Sequence, residues 1–184
     1  QDIFKQQVEN IEGNAPGCYN DLDMLIVGMH GKGNVGIGGC SDEQYLQHFA
    51  MWAFLTSPLI IGADIRSIDD PLLNKGLIAI NQDEECCPAF LIENVGDKHY
   101  TLGKILSGNR VAIGFFNIGE PTEGPCHMSI CFDDLGIHSE SGLFLKITDA
   151  ITGEELGTFQ DAYTAVLRGC QSQVVIAELV KPEK

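Results

Sequence analysis

Residues 19–28 read YNDLDMLIVG: Asn20, Asp21 and Asp23 crowd a short stretch, and the apolar run Met24–Gly28 follows at once. Asn and Asp favour turns because their short side chains bond nearby backbone groups. A brief continuous apolar run bounded by turn chemistry predicts a parallel strand buried on both faces. Upstream, residues 3–11 (IFKQQVENI) set Ile3, Phe4, Val8 and Ile11 near one helical face, which predicts the last turns of a helix. Asn14-Ala15-Pro16-Gly17 breaks it.

Downstream, a glycine-rich loop leads to Ser41-Asp42-Glu43-Gln44, which predicts a helix start. Ser41 can cap, Gln44 holds the capping-box position, and the two acids suit the positive end of the helix dipole. Tyr45, Phe49 and Trp52, joined by Ala53, form one stripe, and Ser57-Pro58 ends the helix. Leu59–Gly62 reads as a second buried strand, and Asp69-Asp70-Pro71 as the opening of a helix leading towards Leu77–Asn81. This β-α-β-α rhythm implies an α/β fold with a parallel sheet covered by helices.

Beyond residue 83 the period changes. Phe90–Glu93, Tyr100–Ile105, Val111–Asn117, His127–Phe132, Phe144–Ile147, Tyr163–Leu167 and Val174–Leu179 are short strand candidates. Turn signals such as Gly96-Asp97, Ser107-Gly108-Asn109 and Thr152-Gly153 separate them. Strands without helices predict an all-β, antiparallel sandwich. Two textures imply two domains, residues 1–83 and 84–184.

The chain has 184 residues and a net charge of −15. No Lys/Arg cluster offers the basic face that a phosphate backbone requires, so no nucleic-acid partner is expected. No apolar run reaches the roughly 18 residues of a membrane helix, so no membrane partner is expected either. The first residues, Gln-Asp-Ile-Phe, lack an initiator Met, which points to a trimmed start or a piece of a longer protein. Seven cysteines without a regular framework favour reduced thiols and a cytoplasmic setting, though an extracellular one stays open. Cys86, Cys87, Cys126 and Cys131 contain no C-x-x-C pair. On one strand Cys126 and Cys131, five apart, would point to opposite faces, so no metal is expected, nor any cofactor.

Gly31, Gly33 and Gly36 match G-x-G-x-x-G between a strand and a helix, the pattern of a dinucleotide site. Three features oppose that reading. The cap at Ser41 lies five residues past Gly36, and Asp42 and Glu43 would repel a pyrophosphate. Asp64 lies well beyond the spacing of about 20 residues expected for a ribose partner.

The segment Tyr19–Gly28 resembles the W-N-D-P-D-M-L segment of glycoside hydrolase family twenty-seven, the α-galactosidases. The likeness runs on through Gly31–Cys40, the helix Asp42–Ala53, Ser57–Arg66 and Ile78–Asp83. Past the boundary, Arg110–Asn117, Phe132–Gly136 and Asp149–Glu154 resemble the family's C-terminal β-domain. The resemblance implies the last βα units of a (β/α)8 barrel (residues 1–83) followed by an antiparallel β-sandwich (residues 84–184), with the site at the C-terminal ends of the barrel strands.

The family consists of retaining exo-glycosidases acting on terminal α-galactosides. They use one Asp as nucleophile and a second as acid, then base, with the carboxyl groups about 5–5.5 Å apart. In the family these stand in K-x-D-Y and R-x-x-x-D segments on earlier strands, and neither segment occurs here. The resemblance therefore assigns no catalytic residue to this chain and predicts that it is inactive without a missing N-terminal barrel segment. It assigns Asp23 and Met24 to the sugar pocket and Asn20 and Asp21 to support of that turn. Read from residues alone, Asp23 is rather a surface turn acid, since Asn and Asp are ordinary turn residues, and it is the resemblance that reverses this.

Two departures stand out: the family's Trp is Tyr19 here, and its Pro is Leu22, which frees φ at that turn. Asp64 and Arg66 are expected to form a structural ion pair and His30 to be a loop residue. Asn81-Gln82-Asp83 is expected to tie the last helix to the sandwich. A non-catalytic β-sandwich that binds carbohydrate or stabilises a partner is the alternative function. Against it, the second half has only Tyr100 and Tyr163 and no Trp to stack on a sugar.

Overall fold

A computed structural model describes residues 1–32, 38–68 and 74–181. Three helices, α1 (Asp2–Val8), α2 (Asp42–Phe54) and α3 (Lys75–Asn81), precede eight strands. These are β1 (Phe90–Val95), β2 (His99–Leu106), β3 (Arg110–Asn117), β4 (Cys126–Cys131), β5 (Phe144–Asp149), β6 (Glu155–Phe159), β7 (Ala162–Leu167) and β8 (Ser172–Val180). Six of them form one antiparallel sheet in the order β1-β2-β3-β8-β5-β6, and β4 and β7 pair as a second sheet. The molecule is therefore layered: helices, large sheet, small sheet.

The large sheet is buried on both faces at its centre. Alternate residues of β3 and β8 divide between two cores. Ala112, Phe116 and Val174 face the helices, whereas Ile113, Phe115, Val175 and Ala177 face β4 and β7. That double burial explains why VAIGFF in β3 reads as a continuous apolar run. The covering strands β4 and β7 keep one face wet and alternate cleanly, with Met128, Ile130, Tyr163, Ala165 and Leu167 inward. The alternation also separates Cys126, which leans on that core, from exposed Cys131.

Helix α2 is the central strut. Ser41 accepts from Gln44 N–H while Gln44 reaches back to the Ser41 N–H, closing the expected capping box. The buried Gln47 amide donates to the carbonyls of Asn117 and Gln171, both at 2.9 Å, and so bolts the helix to the sheet. At the other end Lys104, fully buried on β2, reaches Thr56 Oγ1 at 2.8 Å and the Ala53 carbonyl at 3.5 Å. A cation suits the negative end of a helix dipole. Burial nevertheless pushes the Lys104 amine down to about 8, with Asp83 and the Cys86 and Cys87 thiols acting in the opposite direction. Phe4 carries α1 onto the same sheet face, edge-on to Tyr100 at 5.3 Å.

The first 83 residues depart from expectation in their strands. Among the described residues one parallel bridge forms, Leu25 with Ile61, closed by Leu25 N–H to Ile60 O (2.7 Å) and Gly62 N–H to Leu25 O (2.8 Å). Met24–Gly28 is not a strand. Gly28 has φ of 77°, and the chain turns at Ile26–Met29, closed by Met29 N–H to Ile26 O. Its apolarity instead feeds one face: Leu22, Leu25 and Val27 are buried, while Met24 and Ile60 are half exposed. Neither run is thus buried on both faces. The helix opening expected at Asp69-Asp70-Pro71 falls outside the described residues, and α3 has its own cap, with Asn74 accepting from Leu77 N–H. No helix among the described residues is long and apolar enough to cross a membrane.

Candidate functional site

The segment Asn20–Met24 is held by a dense set of short-range bonds. Asn20 donates its backbone N–H to Asn14 Oδ1 and its amide to the Asn10 carbonyl at 3.1 Å. Leu22 N–H donates to Ser57 Oγ at 3.1 Å, which ties the buried Leu22 to the end of α2. Asp21 Oδ1 accepts from Asp23 N–H at 2.9 Å, and Asp23 Oδ1 accepts from Met24 N–H at 2.6 Å.

Asp23 itself has φ of 74°. L-residues avoid that left-handed region, and Asp is one of the few that enter it because its carboxylate can bond locally. Strained backbone of this kind clusters at functional sites. The indole N–H of buried Trp52 donates to the Asp23 carbonyl at 2.8 Å, fixing the strained peptide from below. The carboxylate and Met24 both lie on the exposed side. A carboxylate beside a soft thioether offers an acceptor for sugar hydroxyls next to an apolar contact. Met24 stands where it does because residue 62 is glycine: a Cβ there would meet Met24 Cβ at 3.0 Å and Sδ at 3.3 Å.

Neighbouring candidates are placed as follows. Arg66 grips Asp64 through Nε (2.9 Å) and Nη2 (2.7 Å), a two-pronged ion pair in the open, and that contact lowers the Asp64 carboxyl. His30 stacks edge-on against Tyr45, with Asp42 at 3.8 Å, and its loop is pinned where Tyr45 Oη accepts from the His30 and Cys40 N–H groups. Of the glycines at 31, 33 and 36, only Gly31 lies within the described residues, with φ of 71°. Asp83 accepts from Ser107 N–H at 2.8 Å and Ser107 Oγ at 2.9 Å, so Asn81-Gln82-Asp83 does tie α3 to the β2–β3 turn. Among the described residues no group of three His, Cys, Asp or Glu could hold a metal ion.

Comparison with known proteins meets the same turn. A family model described as alpha galactosidase A matches residues 1–83. Alpha-galactosidase 2 of Arabidopsis thaliana is 35% identical over 128 residues, which are 67% of this chain and 29% of that protein. The chain belongs to the α-galactosidase family. Alpha-galactosidase of Lachancea cidri is 47% identical over 98 residues, half of this chain and 19% of its own. Alpha-galactosidase I of Mortierella vinacea superposes with a TM-score of 0.79 at 26% identity, covering 98% of this chain and 45% of that one. The chain thus spans less than a third of the length of these two sequence relatives.

As a partial member of the α-galactosidase glycoside hydrolases, the chain brings Asn20, Asp21, Asp23 and Met24 together at one turn. Sequence reasoning gave no role to one neighbour of that turn, His48, and read another, Trp52, only as part of the apolar stripe of α2. Ile26 N–H donates to His48 Nε2 at 3.3 Å. Burial pushes the imidazole down to about 4, so the ring is neutral at pH 7 and free to accept. Their spacing of four residues on a predicted helix was the available signal, but only the tertiary contact shows what they face.

Proposed function

We propose that this chain is the C-terminal portion of a retaining α-galactosidase that hydrolyses terminal α-D-galactosides. In this reading residues 1–83 close a (β/α)8 barrel and residues 84–184 form the sandwich behind it. Asp23 and Met24 make one wall of the sugar pocket, supported by Asn20 and Asp21. The nucleophile and the acid/base Asp come from segments outside residues 1–184, and this chain alone is inactive. Seven unpaired thiols support a reducing, cytoplasmic setting.

The observation that carries the reading is Asp23, a non-glycine residue in the left-handed region, locked by Trp52 and Asp21, with its carboxylate exposed inside the stretch that matches the family model. Parallel pairing of Leu25 with Ile61 supports neighbouring barrel strands, and half-exposed Met24 and Ile60 would face the barrel interior.

The test is kinetic. In the full-length enzyme Asp23→Asn keeps the turn, since Asn tolerates the left-handed region, but removes the charge that accepts sugar hydroxyls. KM for a terminal α-galactoside is expected to rise about tenfold or more, the scale of one charged hydrogen bond. Unchanged KM and kcat would remove Asp23 from the site.

A further inference from the structure

Two side chains on one face of α2 grip the Asp23–Ile26 segment from beneath. Trp52 Nε1–H donates to the Asp23 carbonyl at 2.8 Å, and three residues on, Ile26 N–H donates to His48 Nε2 at 3.3 Å. Positions i and i+4 share a helix face, and here the two rings touch with centroids 3.9 Å apart, tilted at 55° to each other. Indole can only donate, and an imidazole nitrogen can only accept while unprotonated. One helix thus supplies a fixed donor at one end of the segment and a pH-dependent acceptor at the other. Between them lie the strained peptide of Asp23 and the exposed side chain of Met24.

We propose that His48 and Trp52 are positioning residues for the sugar site: together they hold Asp23 and Met24 in register, and protonation of His48 releases the Ile26 end. This rests on Asp23 and Met24 belonging to the sugar site. His48 lies against a small cavity of about 140 Å³. The titratable side chains facing it there, among the described residues, are the Cys40 thiol and the Tyr45 phenol; the Gln1 α-amino group stands beside it only in residues 1–184 taken alone. Among the described residues no carboxylate lines that cavity to hold the imidazolium, so the grip is closed at neutral pH and opens in acid.

Trp52 is the chain's single tryptophan, so its indole N–H resonance reports the grip directly. In 15N-labelled residues 1–184, the Trp52 indole and Ile26 amide resonances are expected to move together between pH 7 and 3.5, with a midpoint of about 4. His48→Gln, whose amide oxygen can still accept, should abolish that titration and leave the neutral-pH positions nearly unchanged. His48→Leu should displace the Asp23 and Ile26 amides already at pH 7. If the wild-type resonances ignore the titration of the His48 ring, the grip does not exist, and this arm stands even if the Leu variant fails to fold.

In the full-length enzyme His48→Leu is expected to raise KM about tenfold, with His48→Gln restoring it. A lowered melting temperature with unchanged KM would make the pair structural and overturn the positioning role. If KM ignores Asp23→Asn as well, the sugar-site reading fails with it, while the resonances still report whether the grip forms.

Discussion

Asp23 is the residue on which the proposed site depends, and its chemistry is backbone chemistry first. At φ of 74° a β-branched residue clashes with its own carbonyl, whereas Gly, Asn and Asp fit. Asp23→Val is therefore expected to destabilise the fold by about 1–2 kcal/mol and Asp23→Gly by far less, read from melting temperatures. Met24 depends on residue 62 in the same local way. Gly62→Ala should push the Met24 side chain by a few tenths of an ångström and weaken sugar binding without lowering the melting temperature, since both residues are exposed. Asn20, Asp21 and Asp23 were legible as turn residues because short polar side chains announce local bonds. The left-handed step was not, because most Asp residues in turns stay at negative φ.

At the scale of elements, helix ends and close crossings decide the energetics. Gly76 in α3 runs against the turn after β5: a Cβ there would stand 1.7 Å from the Ala150 carbonyl oxygen. Gly→Ala within a helix normally stabilises by up to about 1 kcal/mol. Here the sign should invert, and Gly76→Ala is expected to cost at least about 2 kcal/mol in chemical denaturation.

Two bases, buried Lys104 and half-buried His48, make stability depend on pH. Lys104 titrates at about 8 in the fold against an ordinary 10.5, so between those values the unfolded chain binds more protons and stability rises with pH. Lys104→Met should remove an increment of about 3 kcal/mol across that window, seen as a difference between the two denaturation profiles. His48, at about 4 against 6.5, loses stability as pH falls through that lower window and contributes nothing above it.

Element reading from sequence worked where one signal dominated. The Ser41 cap and the strands of the second half follow from capping chemistry and apolar patterning. Strand β6 escaped notice because Glu155–Phe159 offers only partly buried side chains and contains Gly157. Met24–Gly28 imitated a buried strand because its apolar residues serve one core face from a turn.

For the whole molecule, one core joins both halves: Phe4, Trp52 and Leu77 share it with Leu102, Phe116 and Val174. The division at residue 83 marks a change of texture along the chain, and we propose it as a domain boundary in which α2 serves both sides. Sequence could announce the two textures. It could not reveal that α2 lies between the sheet and the Asp23 turn, because that depends on contacts between residues 22 to 124 positions apart. The apolar side at Leu59, Ile61 and Ile78 is open, and the proposed reading seats there the segment that completes the barrel. The direct measurement is turnover of a chromogenic α-galactoside by residues 1–184 alone. The account predicts a rate indistinguishable from buffer, whereas turnover abolished by Asp23→Ala but kept when the β-rich half is removed would contradict it.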